Sequence, residues 1–132
     1  KIASYVLHDL QGNDFFCGLT FPINDTFASL VMGGWGGTVT GISSIGHFDA
    51  SENETAQAID FKQNQWYKAR IQVIKDRLRV WLDDKVIVDV KGEQKWRTRP
   101  EVDPSKPLGL ATFQTRAEIK NFRWRPIKPA KN

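Results

Sequence analysis

From Trp66 to Val90 the chain reads WYKARIQVIKDRLRVWLDDKVIVDV, and its apolar residues recur at every second position. Tyr67, Ala69, Ile71 and Val73 fall on one side of such an alternation, and Lys68, Arg70 and Gln72 on the other. Leu78, Val80 and Leu82 repeat it against Arg77, Arg79 and Trp81, and Val86, Val88 and Val90 form a third set. A period of two is that of a half-buried antiparallel strand. Asp83, Asp84 and Lys85 lie between the last two runs, where acidic residues tolerate the backbone angles of a tight hairpin. Three strands joined in this way are half of a sandwich or barrel.

The same reading over the whole chain predicts strands at about 2–9, 14–21, 27–32, 38–45, 56–61, 66–74, 77–83, 86–91, 108–114 and 117–125. No window sustains a helical period. Short strands separated by Gly, Asn and Asp turns predict an all-β chain, a two-sheet antiparallel β-sandwich of the jelly-roll type. In the last strand Ala117 and Ile119 are followed by Phe122 and Trp124, so the parity changes near Asn121, and a bulge there restores the inward direction. Two connections are long, Gly46 to Thr55 and Gly92 to Pro107. Loops of that length in a compact domain bind something, cover an edge or lack order.

At 132 residues the chain suits one domain, taken as 1–127 with a basic tail at 128–132. No apolar run approaches the ~20 residues of a membrane span. Lys1 leads straight into the strand-like IASYVL, which suggests an excised segment whose preceding strands or leader are missing. Cys17 is the only cysteine, which rules out an internal disulfide, and its setting in FFCGLTF suits a core thiol. The net charge of +4 comes from basic residues interleaved with apolar ones along strands, the pattern of a solvated sheet face, and no nucleic-acid-binding motif accompanies it.

The runs WYKARIQVIKDRLRVWLDDKVIVDV and KPLGLATFQTRAEIKNFRWRPI together resemble the closing strands of a concanavalin A-like lectin/glucanase domain. With DFFCGLTFP, GGWGGTVTGISSI and DASENET, the chain more narrowly resembles the bacterial, planctomycete-type 3-keto-disaccharide hydrolase family. The resemblance covers about Tyr5 to Ile127. It implies two antiparallel sheets, one concave and able to hold a saccharide, in a periplasmic or extracellular protein with further domains. Family members usually carry more N-terminal strands than the one that precedes DFFCG here.

Asp49, Glu52 and Glu54 form the densest carboxylate group. On an extended chain Glu52 and Glu54 share a face, as an acid and base acting across a glycosidic bond would require, and His47 nearby is a candidate proton shuttle. The order Asp-x-x-Glu-x-Glu does not match the Glu-x-Asp-x-x-Glu strand of superfamily glucanases, so no glucanase role carries over. Asp49 and Glu52 are oxygen donors of the kind calcium takes, and a solvated acidic loop is the plainer alternative. Trp35, flanked by Gly33, Gly34, Gly36 and Gly37, either stacks on a sugar or plugs an end of the sandwich. Trp81 points away from Leu78, Val80 and Leu82, and with Arg79, and with Arg70 and Gln72 on the neighbouring strand, it gives that face the aromatic and hydrogen-bonding character of a saccharide surface. Packing of Trp81 beneath the loop that carries Trp96, or against a missing strand, is the alternative.

Three functions are compatible with these residues. The first is a glycan-binding module of a larger exported protein, the second a hydrolase or lyase acting on 3-keto-glycosides through His47, Glu52 and Glu54. The third is a structural protein-protein interaction module.

Overall fold

The computed structural model describes residues 2–125 except 13, 15, 35–38, 47, 50, 52, 63–64, 75–76, 92–93, 99 and 113–114, and gives backbone only for 2–12, 101, 102, 116, 121, 124 and 125. Ten strands occur among the described residues: β1 (Ile2–Gly12), β2 (Cys17–Ile23), β3 (Thr26–Gly34), β4 (Val39–Ser43), β5 (Gln57–Ala58), β6 (Gln65–Ile74), β7 (Arg77–Leu82), β8 (Lys85–Lys91), β9 (Gly109–Ala111) and β10 (Thr115–Arg125). Every strand expected from the alternation is present. The long proline-rich connection also holds a 3₁₀ turn, Pro100–Ser105, which the strand pattern does not announce.

The strands form two antiparallel sheets, one ordered β10-β1-β6-β7-β8 and the other β5-β4-β3-β2-β9. Between them lies a single core built from Cys17, Leu19, Phe21, Ala28, Leu30, Met32 and Ile42 of the second sheet against Tyr67, Ala69, Ile71, Leu78, Val80, Val88 and Val90 of the first. Cys17 is fully buried, as its setting predicts. At one end of the core Phe61 meets Phe16 and Tyr67 edge to face at 4.8 and 4.9 Å, and the Tyr67 hydroxyl accepts a 2.6 Å hydrogen bond from the Lys62 N–H. The aromatic cluster thereby anchors the chain as it enters β6. Among the described residues no helix is long and apolar enough to cross a membrane.

Three local features set side-chain direction. Asp83 and Asp84 both have positive φ, 48° and 68°, which gives the two-residue β7–β8 hairpin the turn whose twist matches its strands. The β1–β10 ladder shifts register between Lys120 and Arg123, the bulge expected near Asn121, and again between Arg116 and Ala117. A third shift, not expected, lies between Val80 and Trp81: Val80 faces Val88, but Trp81 faces Val86, which leaves Ile87 as the extra residue. This corrects the expectation that Val86, Val88 and Val90 share one face. An inserted residue reverses the direction of everything before it, so Val88 and Val90 enter the core while Val86 turns outward and is 48% exposed.

Candidate functional site

Among the described residues the two sheets differ in how deeply their outward side chains are buried. On the second sheet the outward row Thr20, Ser29 and Ser43 is buried as deeply as the core. Thr20 and Ser29, paired in register, share a 2.8 Å hydroxyl hydrogen bond. The Ser43 hydroxyl donates to the Asp49 carboxylate, and the Ser44 hydroxyl lies 3.4 Å from the same oxygen. Beyond Ser43 the two long loops pair with each other: Ser44 and Arg97 exchange backbone hydrogen bonds, and the Gly46 N–H donates to the Lys95 carbonyl at 2.7 Å. Trp96, 6% exposed, enters the core from this strap.

The acidic loop is held by its own polar side chains. Strand β5 is two residues long and its pairing with β4 ends at Thr40, so Ile42 has no strand partner on that side. The Thr55 hydroxyl accepts the Ile42 N–H at 2.8 Å, and the Asn53 amide donates to the Ile42 carbonyl at 2.6 Å and to the Phe48 carbonyl at 3.2 Å. Asn53 Oδ1 in turn accepts the Thr55 N–H at 2.9 Å. Buried backbone groups need partners, and these two side chains supply them where the strand does not continue. The segment is coiled: the Asn53 N–H reaches back to the Asp49 carbonyl at 3.0 Å and the Ala56 N–H to the Asn53 carbonyl at 3.0 Å. Glu54 therefore lies in a turn rather than on an extended run, and Glu52, its expected partner, lies outside the described residues. Glu54 is exposed. His47, Glu52 and Trp35 lie outside the described residues. Among the described residues no three His, Cys, Asp or Glu side chains gather as a metal site.

On the outer face of the first sheet, by contrast, the described side chains of β6 are exposed or half-buried and alternate with the buried residues Tyr67, Ala69 and Ile71. Here the structure brings together the four residues that the alternation singles out. Arg70 pairs with Trp81 and Gln72 with Arg79 across the β6–β7 ladder, so all four share one face. The Arg70 guanidinium carbon lies 4.8 Å from the centre of the Trp81 ring and that of Arg79 5.2 Å, so one indole carries two cations. Arg79 also donates to the Gln72 side-chain oxygen, and its Nε–H is buried without an acceptor among the described residues. All four side chains are half-buried, which fixes them without removing them from solvent. Trp96 belongs to the interior, whereas Trp81 lies on the opposite side of β7 from its core residues.

Trp66, Lys120 and Arg123 extend this face, although from the sequence Trp66 reads as a core or edge residue and the other two are not singled out. Trp66 is 36% exposed and carries the Lys120 ammonium 4.0 Å above its ring. Its parity with Lys68, Arg70 and Gln72 was the available signal. For β10 the bulges hide the parity, and only the register reveals that Arg123 and Arg70 both lie opposite Ser4 of the strand between them. Asp89, opposite Arg79 on β8, is engaged through both oxygens by Arg77 at 2.9 and 2.8 Å. That hydrogen-bonded pairing holds the Asp89 carboxyl below the usual carboxylate range and raises Arg77 further.

Among solved structures the chain is similar to the carbohydrate-binding module CBM66 from Bacillus subtilis, with a TM-score of 0.54 and 14% identity over 92% of this chain and 71% of that one. At that identity the likeness is one of fold, a β-sandwich. No curated protein matches the chain. The model of the 3-keto-alpha-glucoside-1,2-lyase-like domain matches residues 3–125, which takes in both sheets, the acidic loop and the arginine–tryptophan face. The chain belongs to that family, the one that its closing strands and its WGG and DASENET segments resemble.

Proposed function

We propose that this chain is a glycan-binding β-sandwich of a larger exported protein, and that it holds its ligand on the outer face of the first sheet. The observation that carries the reading is the cluster of half-buried Trp81, Arg70, Arg79 and Gln72 on one face of the β6–β7 hairpin. An indole offers the apolar face of a sugar ring a surface to stack on, and guanidinium and amide groups beside it bond to ring hydroxyls. Two packed strands hold the groups in place, so little ordering accompanies binding. The carbohydrate-binding fold of the structural neighbour and the sugar chemistry in the family's name support the same class of ligand.

Family membership favours a second reading, cleavage of a 3-keto-glycoside by the loop at 46–55 with His47, Glu52 and Glu54 as proton-transfer groups. Asp49, with Glu52, is the calcium alternative in that loop, although its carboxylate already accepts from Ser43. The two readings separate in one set of variants. Loss of oligosaccharide binding in Trp81→Ala, with no turnover of any 3-keto-disaccharide by the parent chain, supports the first. Turnover that disappears in Glu52→Gln or Glu54→Gln supports the second, and turnover that survives in both removes the loop from the reaction.

A further inference from the structure

We infer that the ligand of this face is an acidic glycan, one whose sugars carry carboxylate or sulfate groups. The inference rests on the glycan-binding reading and specifies its substrate class. Lys68, Arg70, Arg79, Lys120 and Arg123 share the outer face of the first sheet with Glu118, while Arg77 and Asp89 satisfy each other. Lys68 reaches Asp84 at 3.6 Å at the sheet's rim, where both are widely exposed. Neither Arg70 nor Arg79 forms an ion pair with a carboxylate of the described residues; both lean on Trp81 instead. A solvated face made for solubility alone mixes the two signs, and a neutral-sugar site has no need of paired guanidinium groups. Guanidinium is the cation whose planar fork fits a carboxylate or sulfate through two parallel N–H bonds.

The setting of Arg79 carries the argument further. Its guanidinium is fixed from one side by Gln72 and from another by the indole, and its buried Nε–H is left without an acceptor among the described residues. A buried donor in that state is destabilising. A small rotation of the group toward an incoming anion relieves it. Arg123 sits across Ser4 from Arg70, two strand spacings of ~4.8 Å away, so cations continue along the sheet beyond the indole. Trp66 with Lys120 repeats the pairing of ring and cation four residues along β6 from Arg70, roughly 13 Å at a strand's rise per residue. A ring to stack on and a cation beside it, repeated along a strand, match a polymer of sugar rings that bear acidic groups.

The test measures binding of the whole chain to oligogalacturonate and to a sulfated oligosaccharide, with maltooligosaccharide as the neutral probe and single-stranded DNA as a non-sugar polyanion. The expected result is preference of about tenfold or more for an acidic over the neutral oligosaccharide, weakening as salt rises. Arg70→Gln and Arg79→Gln should each lower affinity for the acidic probe about tenfold, and Lys95→Gln, the same charge change on the loop, should not. Arg79→Lys, which keeps charge but not the fork, should restore only part of the loss. Urea unfolding of each variant verifies the fold. Equal affinity for neutral and acidic probes overturns the inference and leaves glycan binding standing. DNA bound as tightly as the acidic sugars overturns it in favour of a general polyanion surface. Binding to none of the sugars overturns the glycan reading itself.

Discussion

Asn53 and Thr55 do for β4 what a longer β5 would have done, since their side chains take the N–H and C=O of Ile42. Asn53→Ala leaves that carbonyl buried without a donor and should lower stability by about 1–3 kcal/mol, and Thr55→Val should act in the same direction. Urea unfolding of the two variants and of the double variant measures both the loss and their coupling. The pairing of Asp89 with Arg77 is a milder case, because both groups are solvent-accessible. Arg77 holds the folded Asp89 carboxyl below its unfolded value, so the contribution is complete above the ordinary carboxylate range. It is lost as pH falls through the depressed value. The stability difference between the parent chain and Asp89→Asn should therefore shrink toward acid pH, and a difference that grows would contradict the pairing. At this scale the sequence was partly legible. The carboxylates of the acidic loop were visible, but nothing in the order of residues marks Asn53 and Thr55 as stand-ins for strand pairing, and only the end of the β5 ladder reveals it.

Strands were the most legible level, because a face buried in a core imposes the alternation that the chain displays from Trp66 to Leu82. Failure came where one residue is inserted. The bulge at 121–122 leaves two apolar residues out of phase and could be seen, whereas the one at Ile87 sits in an unbroken run of VIV and leaves no trace in polarity. Elements are also joined by contacts too close for a side chain. A Cβ on Gly109 would stand 2.6 Å from the Ser105 carbonyl oxygen, so β9 starts directly beneath the 3₁₀ turn. Gly109→Ala should cost about 1–3 kcal/mol, since the obstacle is backbone and must move as a unit. A thermal melt unchanged by this substitution would mean that the turn is free to lift away from the strand.

At the scale of the whole molecule, the described outward residues of one sheet are buried and those of the other are exposed or half-buried. The loop at 46–55 meets the second sheet's outer row at Ser43, while the first sheet carries two tryptophans on its outer side, Trp81 with two cations and Trp66 with one. That division explains how much of the site was readable. Arg70, Gln72, Arg79 and Trp81 share a parity within one hairpin and so appear together in sequence, while Arg123 and Lys120 arrive from a strand some 40 positions later, in an order that only the topology supplies. The central claim is that sugar binds to the outer face of the first sheet. The most direct measurement follows the indole N–H resonances of the five tryptophans during titration with a mixture of neutral and uronic-acid oligosaccharides. Saturable shifts at Trp81 and Trp66, with Trp96 unmoved, are the predicted result; shifts at Trp96 or Trp35 with Trp81 and Trp66 unmoved would place the sugar elsewhere and contradict the account.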